Sequence, residues 1–293
     1  MRVVKETANA KINLYLDVIS KRPDGFHDIK TVMHSVSLFD EVRLTYNPAK
    51  ETRIRMQIAG NRFLPVDERN LAVKAVKLFL ESAGLTAYID ISLEKNIPVS
   101  AGLAGGSSDA AATLRAMNKL FDRLFSEKAL YGMAAKLGSD VPYCLYGKTA
   151  LCEGRGEIIT KLPDNLMLFV VIAASNERVS TPVAYAELDT LYSSFDGSIK
   201  TGGDAHYGNL VNAIQNGGKI DFPLYNVFEE SVLPKCENSR KIKARLSELG
   251  AQSVLMSGSG PSVFGIFESA EKAISAKEVL LSEGIKAYFA ETV

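Results

Sequence analysis

The stretch IPVSAGLAGGSSDAAATL, residues 97–114, decides the reading of this chain. It joins two periodicities. Upstream, Ile89, Ile91 and Leu93 alternate with Asp90, Ser92 and Glu94, the period of a strand with one buried face. Pro98 removes a ladder donor and is expected to end that strand. Downstream, Ala111, Leu114, Met117 and Phe121 recur at helical spacing, with Ala110 and Leu124 widening the apolar face. Ser107, Ser108 and Asp109 suit the N-cap or first turn of that helix. A helix N-terminus presents unbonded amides and about half a positive charge to an anion. Glycine lets the backbone come close to such an anion. The stretch is neither G-x-x-x-x-G-K-[ST] nor G-x-G-x-x-G. On these residues alone, phosphate binding and a tight structural connection both stay open.

Composition sets the bounds. The 293 residues suffice for two domains. The 34 basic and 34 acidic side chains cancel, and there is no basic run, so nothing electrostatic argues for nucleic acid or an anionic membrane as partner. The most apolar run, Leu166 to Ala174, is too short to span a bilayer and reads as a buried strand. The N-terminus opens on a strand-like pattern, so neither a signal nor a transit peptide is expected, and the expected location is cytoplasmic. Cys144, Cys152 and Cys236 lack CxxC spacing and are expected as buried thiols.

Four other places draw notice. In Ala10 to Val18, Ile12, Leu14, Leu16 and Val18 alternate with Lys11, Asn13, Tyr15 and Asp17. That period puts Lys11 and Asn13 on one face, and the bare pattern is a half-exposed strand with a solvated lysine. A helix is expected over about 127–137, ended by Gly138 as a C′ residue, with Pro142 preventing its regrowth. Asp140 then sits on a short turn, either capping its own backbone or serving chemistry. His27 stands beside Phe26 in Asp-Gly-Phe-His, whereas His34 and His206 have no such neighbours, and no cluster suggests zinc. Asn70 opens an expected helix to Leu80, and Ser180-Thr181-Pro182 reads as another helix start.

Three ordered motifs over nearly the full chain carry a resemblance. PVSAGLAGGSS (98–108), TANAKINLYLDV (7–18) and SVLMSGSGPSVFGIF (253–267) resemble the motifs of the GHMP kinases. The resemblance implies that ATP phosphates lie on Pro98, Val99, Ser100, Ala101, Gly102, Leu103, Ala104, Gly105, Gly106, Ser107 and Ser108, with adenine near Asn70. It implies Lys11 and Asp140 as catalytic residues, with Asn13 at the acceptor. Phosphoryl transfer needs an aligned hydroxyl and an offset for charge; Asp140 would accept or orient the proton and Lys11 stabilise the charge. Mg2+ is implied through the nucleotide phosphates, with Ser107 as its protein-side contact.

AKINLYLDV, RPDGFHDIKTV (22–32) and LGSDVP (137–142) are similar to one branch of that family. Its acceptor is a cytidine diphosphate-linked methylerythritol, phosphorylated on the tertiary 2-hydroxyl. In that branch Phe26 would stack on cytosine, His27 would donate to it, and Thr181 and Tyr185 would line the substrate rim. Phe26 replaces the usual Tyr and Asn9 a commoner Pro. Homoserine kinase is the alternative within the family, set apart by Asp-Gly-Phe-His with Ala-Lys-Ile-Asn-Leu. A catalytically dead nucleotide-binding module is a third reading, opposed by the presence of both Lys11 and Asp140.

The implied fold is α+β, in two domains: an N-terminal α/β nucleotide-binding domain over 1–160 and a ferredoxin-like C-terminal domain over 161–293, with catalysis in the cleft between them. The first domain reads as four strands, a helix, a strand, the glycine loop and two helices. Residues 192–218 look loop-rich. A helix over 239–249, two strands around Gly-Ser-Gly-Pro, a helix to about Glu283 and a strand over 285–290 complete the chain.

Overall fold

The computed structural model describes residues 1–61, 63–192 and 203–293. In chain order it contains β1 (Arg2–Lys21), β2 (His27–Pro48), β3 (Arg53–Ala59), α1 (Leu71–Ala83), β4 (Ala87–Glu94), α2 (Gly105–Leu120), α3 (Glu127–Leu137), α4 (Val141–Tyr146), β5 (Thr149–Gly154), β6 (Ile158–Lys161) and β7 (Phe169–Ala173). There follow α5 (Thr181–Leu191), α6 (Asp204–Asn216), β8 (Tyr225–Asn226), α7 (Phe228–Val232), α8 (Glu237–Glu248), β9 (Ser253–Met256), β10 (Val263–Phe267), α9 (Ala270–Ser282) and β11 (Ala287–Glu291). Two compact units emerge. The first comprises Met1–Ala10, Phe39–Val99 and Ala104–Gly147; the second comprises Lys11–Leu38, Ser100–Leu103 and Lys148–Val293. β1 and β2, at 20 and 22 residues, contribute to both.

In the first unit β3 runs parallel to β4, with Ile54 opposite Ile89. α1 makes the crossover that a parallel pair requires. The last part of β2 is antiparallel to β4, with Leu44 opposite Ile91. β4 shows the expected alternation: Ala87, Ile89, Ile91 and Leu93 are buried, while Ser92 and Glu94 are exposed. α1 buries Ala72, Val73, Ala75, Val76, Phe79 and Leu80 and packs on α2. α2 is buried nearly all round, and its alanines let α1, α3 and α4 come close.

Several sequence expectations are corrected here. Three strands precede α1, not four, because residues 27–48 form one unbroken strand. β4 ends at Glu94, well before Pro98, because the Asp40 carboxylate accepts the amides of Asn96 at 2.6 Å and Ile97 at 2.8 Å and draws the backbone out of the ladder. α2 begins at Gly105 with Ala104 as N-cap, so the capping alternative fails for Ser107, Ser108 and Asp109, and Ser107 and Ser108 stand in the first turn, the other reading given for them. α3 has the expected bounds and a Ser126 cap, but Gly138 is extended at φ 169 rather than left-handed. The helix then resumes as α4. Pro142 lies in its first turn, where a missing N–H leaves no bond unmade.

In the second unit β5 is antiparallel to the first part of β2, with Thr31 opposite Cys152, and β6 folds back on β5. β8 pairs in parallel with β1 at Tyr15 and Leu16. A separate antiparallel sheet has the order β11-β7-β10-β9. With α8 and α9 as the connecting helices, that is the ferredoxin-like topology expected, with α5, α6, β8 and α7 inserted after β7. Its core joins Val171, Leu246, Val263, Phe267 and Leu280; truncating Leu246 to Ala there would cost about 2–5 kcal/mol. The apolar run 166–174 becomes β7, buried from Val170 to Ala173. Residues 192–218 are less loop-rich than expected, since Leu210, Ala213 and Ile214 give Asp204–Asn216 a buried helical stripe; residues 193–202 lie outside the described residues. Cys144, Cys152 and Cys236 are buried thiols. Among the described residues no helix is long and apolar enough to cross a membrane.

Candidate active site

The glycine loop owes its course to left-handed residues. Ser100 (φ 55), Gly102 (φ 74) and Ala104 (φ 55) all have positive φ. Two of the three are not glycine, and such a residue costs about 1–3 kcal/mol unless its surroundings hold it. Ala101 and Leu103 turn inward and are buried, while Val99 and Ser100 are exposed and Pro98 is half-buried. The loop delivers the chain to the N-terminus of α2. Ser108 N donates to Ala104 O at 2.8 Å, so the amides of Gly105, Gly106 and Ser107 precede the first helical bond. Ala104 supplies no side-chain cap. This bare, positive end fits an anion such as a nucleotide phosphate. Gly106 is exposed, and a Cβ there would meet only Leu71 Cδ1, at 3.8 Å. Ser108 Oγ donates to Asn9 O at 2.6 Å, whereas the Ser107 hydroxyl has no partner among the described residues. Of the two serines, Ser107 is therefore the one able to face a metal ion. No cluster of three His, Cys or carboxylate groups occurs among the described residues, so a magnesium ion would depend on the nucleotide for most of its oxygens.

A buried ion network underlies this helix start. Lys95 Nζ donates to Asp40 and, at 2.7 Å, to Asp109. A Cβ on Gly105 would lie 2.9 Å from that ammonium. Burial, together with the neighbouring Asp40, pushes the Asp109 carboxyl up to about 7 despite Lys95. Two ionised carboxylates around one ammonium would leave one negative charge in excess, which a proton held on Asp109 relieves. Nothing in the sequence reading singled out Lys95, though a signal existed: it continues the inward parity of Ile89, Ile91 and Leu93.

Also in the first unit, Asn70 is the N-cap of α1. Its Oδ1 accepts from Ala72 N at 2.9 Å and its Nδ2 donates to Pro65 O at 2.9 Å, so the side chain is committed to the helix start. Asp140 occupies the N-cap position of α4, yet its carboxylate makes no capping bond and has no partner among the described residues. The self-capping alternative fails, and an ionisable oxygen pair on a defined turn is left for chemistry.

In the second unit, the strand from Lys11 to Val18 is buried on both faces, so the expected solvated lysine is absent. Lys11, 4% exposed, donates from Nζ to Asn13 Oδ1 at 2.6 Å and to Gly102 O at 2.9 Å. Asn13 Nδ2 donates to Thr31 Oγ1 at 2.8 Å, and Thr31 donates to Tyr15 O at 2.6 Å. The chain of donors fixes the Asn13 amide with its oxygen toward Lys11. Both acceptors of the ammonium are neutral. The third glycine motif lies here too: Ser257 Oγ donates to Gly102 O at 3.0 Å, and a Cβ on Gly102 would fall 2.0 Å from Ser257 O. Asn226 Nδ2 pins that turn through Met256 O and Gly258 O. Thr181, at the start of α5, shares a 2.8 Å hydrogen bond with Ser259 in the same turn.

Phe26 is half exposed on a turn made by Gly25 (φ 84), with the Arg155 guanidinium 4.9 Å from its ring centroid. It is not the core of that turn. His27 is buried and stacks on Tyr185 at 4.6 Å. Its Nε2 lies 2.7 Å from Asp189 Oδ1, and Lys21 Nζ lies 2.5 Å from Asp189 Oδ2. A carboxylate only accepts, so Nε2 carries the proton and gives it to Asp189. In the neutral imidazole the one ring N–H is thus engaged by Asp189. Asp189 was missed in sequence, although it sits one helical turn after Tyr185.

The match to known proteins follows the same motifs. Residues 70–148 match the GHMP kinases N terminal domain, and residues 208–286 the GHMP kinases C terminal domain. A 4-diphosphocytidyl-2-C-methyl-D-erythritol kinase of Geobacillus kaustophilus is 44% identical over 89% of this chain and 87% of its own. The chain belongs to the GHMP kinases. A crystal structure of 4-(cytidine 5'-diphospho)-2C-methyl-D-erythritol kinase superposes on this GHMP kinase with a TM-score of 0.80, at 32% identity, covering 98% of each chain. Homoserine kinase from Cytophaga hutchinsonii superposes at 0.73 but is only 22% identical over 100% of this chain and 95% of its own, a likeness of fold alone. GHMP kinases draw on ATP, and the fit of α2's bare N-terminus to phosphate agrees with that.

Proposed function

We propose that this GHMP kinase transfers the γ-phosphoryl group of ATP to the 2-hydroxyl of 4-diphosphocytidyl-2-C-methyl-D-erythritol, in the non-mevalonate route to isoprenoids. One observation carries the chemistry: Lys11 is a buried ammonium whose acceptors are both neutral. Its charge is left for a bound anion, and it offsets the charge on the transferring group. Asp140 accepts or orients the acceptor's hydroxyl proton with a carboxylate that no described residue engages. Asn13 holds Lys11 in place. The amides of Gly105, Gly106 and Ser107 bind phosphate, and Pro98 to Leu103 shape the approach. Mg2+, when bound, neutralises charge on the nucleotide phosphates, with Ser107 as its protein contact. Asn70 supports the adenine side through the helix it caps.

Phe26 stacks on the cytosine, and Thr181 and Tyr185 border the substrate. Residues 1–160 supply the ATP loop and Asp140, and 161–293 the third glycine motif. The enzyme works in the cytoplasm without nucleic acid or membrane partners. The test is ATP turnover with a panel of alcohols. Activity on the cytidine diphosphate-linked acceptor is expected; activity on homoserine or mevalonate alone would overturn the proposal.

A further inference from the structure

We infer that Asp189 is a positioning residue for nucleobase selection: by fixing the proton of His27 on Nε2, it makes Nδ1 an acceptor that takes the 4-amino group of cytosine and rejects the 4-oxo group of uracil. The inference rests on the cytidine reading above.

Three observations carry it. First, the imidazole cannot turn freely. It is buried, one face lies on Tyr185 with the rings 20° from parallel, and its Nε2 is 2.7 Å from Asp189 Oδ1. Second, Asp189 has the chemistry of a pure acceptor. Burial pushes its carboxyl up, but the bonds from Lys21 and His27 outweigh this and hold it below the ordinary carboxylate range. An ionised carboxylate cannot donate to Nε2, so the neutral ring has only one tautomer compatible with the contact. Third, Nδ1 has no partner among the described residues, although the ring is buried, and it is not among the solvent-sealed polar atoms. A buried imidazole whose one unengaged nitrogen stays open is poised for a ligand's donor. It follows Phe26 directly in the chain, and Phe26 offers an exposed ring to a base. Cytosine presents an amino donor where uracil presents a carbonyl acceptor. Opposite a fixed lone pair, the first gains a hydrogen bond and the second leaves two acceptors face to face.

The first measurement needs no substrate. Nitrogen-15 NMR of the His27 ring in the free enzyme, above the ordinary imidazole range of about 6.5, is expected to show protonated Nε2 and bare Nδ1. Protonated Nδ1 would overturn the inference. The second measurement compares kcat/KM on the cytidine substrate and its uridine analogue. In Asp189→Asn the amide can donate to Nε2, so the other tautomer becomes accessible; the ring signal should shift toward a mixture. The preference for cytidine should fall about tenfold, the scale of one hydrogen bond. A shifted tautomer with undiminished preference would overturn the reading of Nδ1 as the selecting atom. If Asp189→Asn folds poorly, Asp189→Ala, which removes the acceptor from Nε2 altogether, should also let the ring drift toward a mixture of tautomers and lower the preference for cytidine; no movement in either readout would overturn the inference. Failure of the wild-type enzyme to use either nucleotide form would instead overturn the substrate reading, and the selection with it, while the free-enzyme spectrum would still show whether Asp189 sets the tautomer.

Discussion

Lys95 of the first unit and Lys11 of the second are both nearly closed to solvent, at 8% and 4% exposure, but they keep different company. Lys95 lies between two carboxylates, Asp40 and Asp109. Lys11 meets an amide oxygen and a peptide oxygen. Taking an ammonium out of water costs several kcal/mol, so each needs compensation. Lys95 receives it within the fold. Lys11 receives only dipoles, which is why the proposed function sets its charge against the transferring group. The carboxylates repeat the contrast. Asp40 is wholly engaged by Lys95 and the amides of Asn96 and Ile97, while Asp140 is engaged by no described residue. Lys95 and Asp40 satisfy one another within the fold, whereas Lys11 and Asp140 are the groups on which the proposed function draws.

The sharpest test of that division is Asp140→Asn. It should cut turnover by about 10²–10⁴-fold, the range for a positioned acid–base group, and leave nucleotide affinity and the melting temperature nearly as they were. Near-normal turnover would place Asp140 with the structural carboxylates. Next comes Lys95→Met, which strands two buried carboxylates. Chemical denaturation should show a loss of about 3–5 kcal/mol, as for other broken buried pairs. An unchanged midpoint would mean the network does not hold the helix start. Lys11→Met should do the reverse: kcat falls about 10²–10³-fold, the usual loss for one charge-stabilising donor, with no drop in the denaturation midpoint. If it lost stability and kept its kcat, the two lysines would have exchanged roles.

The smallest effect is a titration. The Asp109 carboxyl is raised from its ordinary 3.8 to about 7. Between those values the folded protein holds a proton that the unfolded chain has released, so this group's contribution falls as pH rises through the window and is constant above it. His34 works in the opposite sense. Its burial lowers it from 6.5 to about 4, so the unfolded chain binds the extra proton and stability rises with pH. The whole-protein profile mixes the two, and the difference between wild type and Asp109→Asn isolates the first. The variant should gain relative stability as pH climbs through that window. A parallel pair of profiles would show that Lys95 keeps Asp109 ionised throughout.

Gly105 shows where the sequence argument needed structure. Its place in the motif suggests a residue that must take positive φ, but the left-handed positions are Ser100, Gly102 and Ala104. What forbids a side chain at Gly105 is the Lys95 ammonium and Ile97 beneath it. Gly106 is therefore the cleaner place to block phosphate, since a Cβ there meets nothing closer than 3.8 Å.

By itself the sequence determined the elements whose signal is local. Period-two alternation gave β4, period 3.6 gave α2, a following glycine gave the end of α3, and three ordered motifs gave the family and the ferredoxin-like half. Lys11, Asn13 and the glycine loop were legible because they lie in those motifs. Tertiary structure alone decided which polar groups are complete. The alternation in Lys11 to Val18 reports two faces, but not that both are covered. Lys95 and Asp40 are 55 residues apart, and His27 and Asp189 are 162 apart. The charge on a lysine or the proton on a histidine is set by the atoms within a few ångströms, and no spacing along the chain records which those will be.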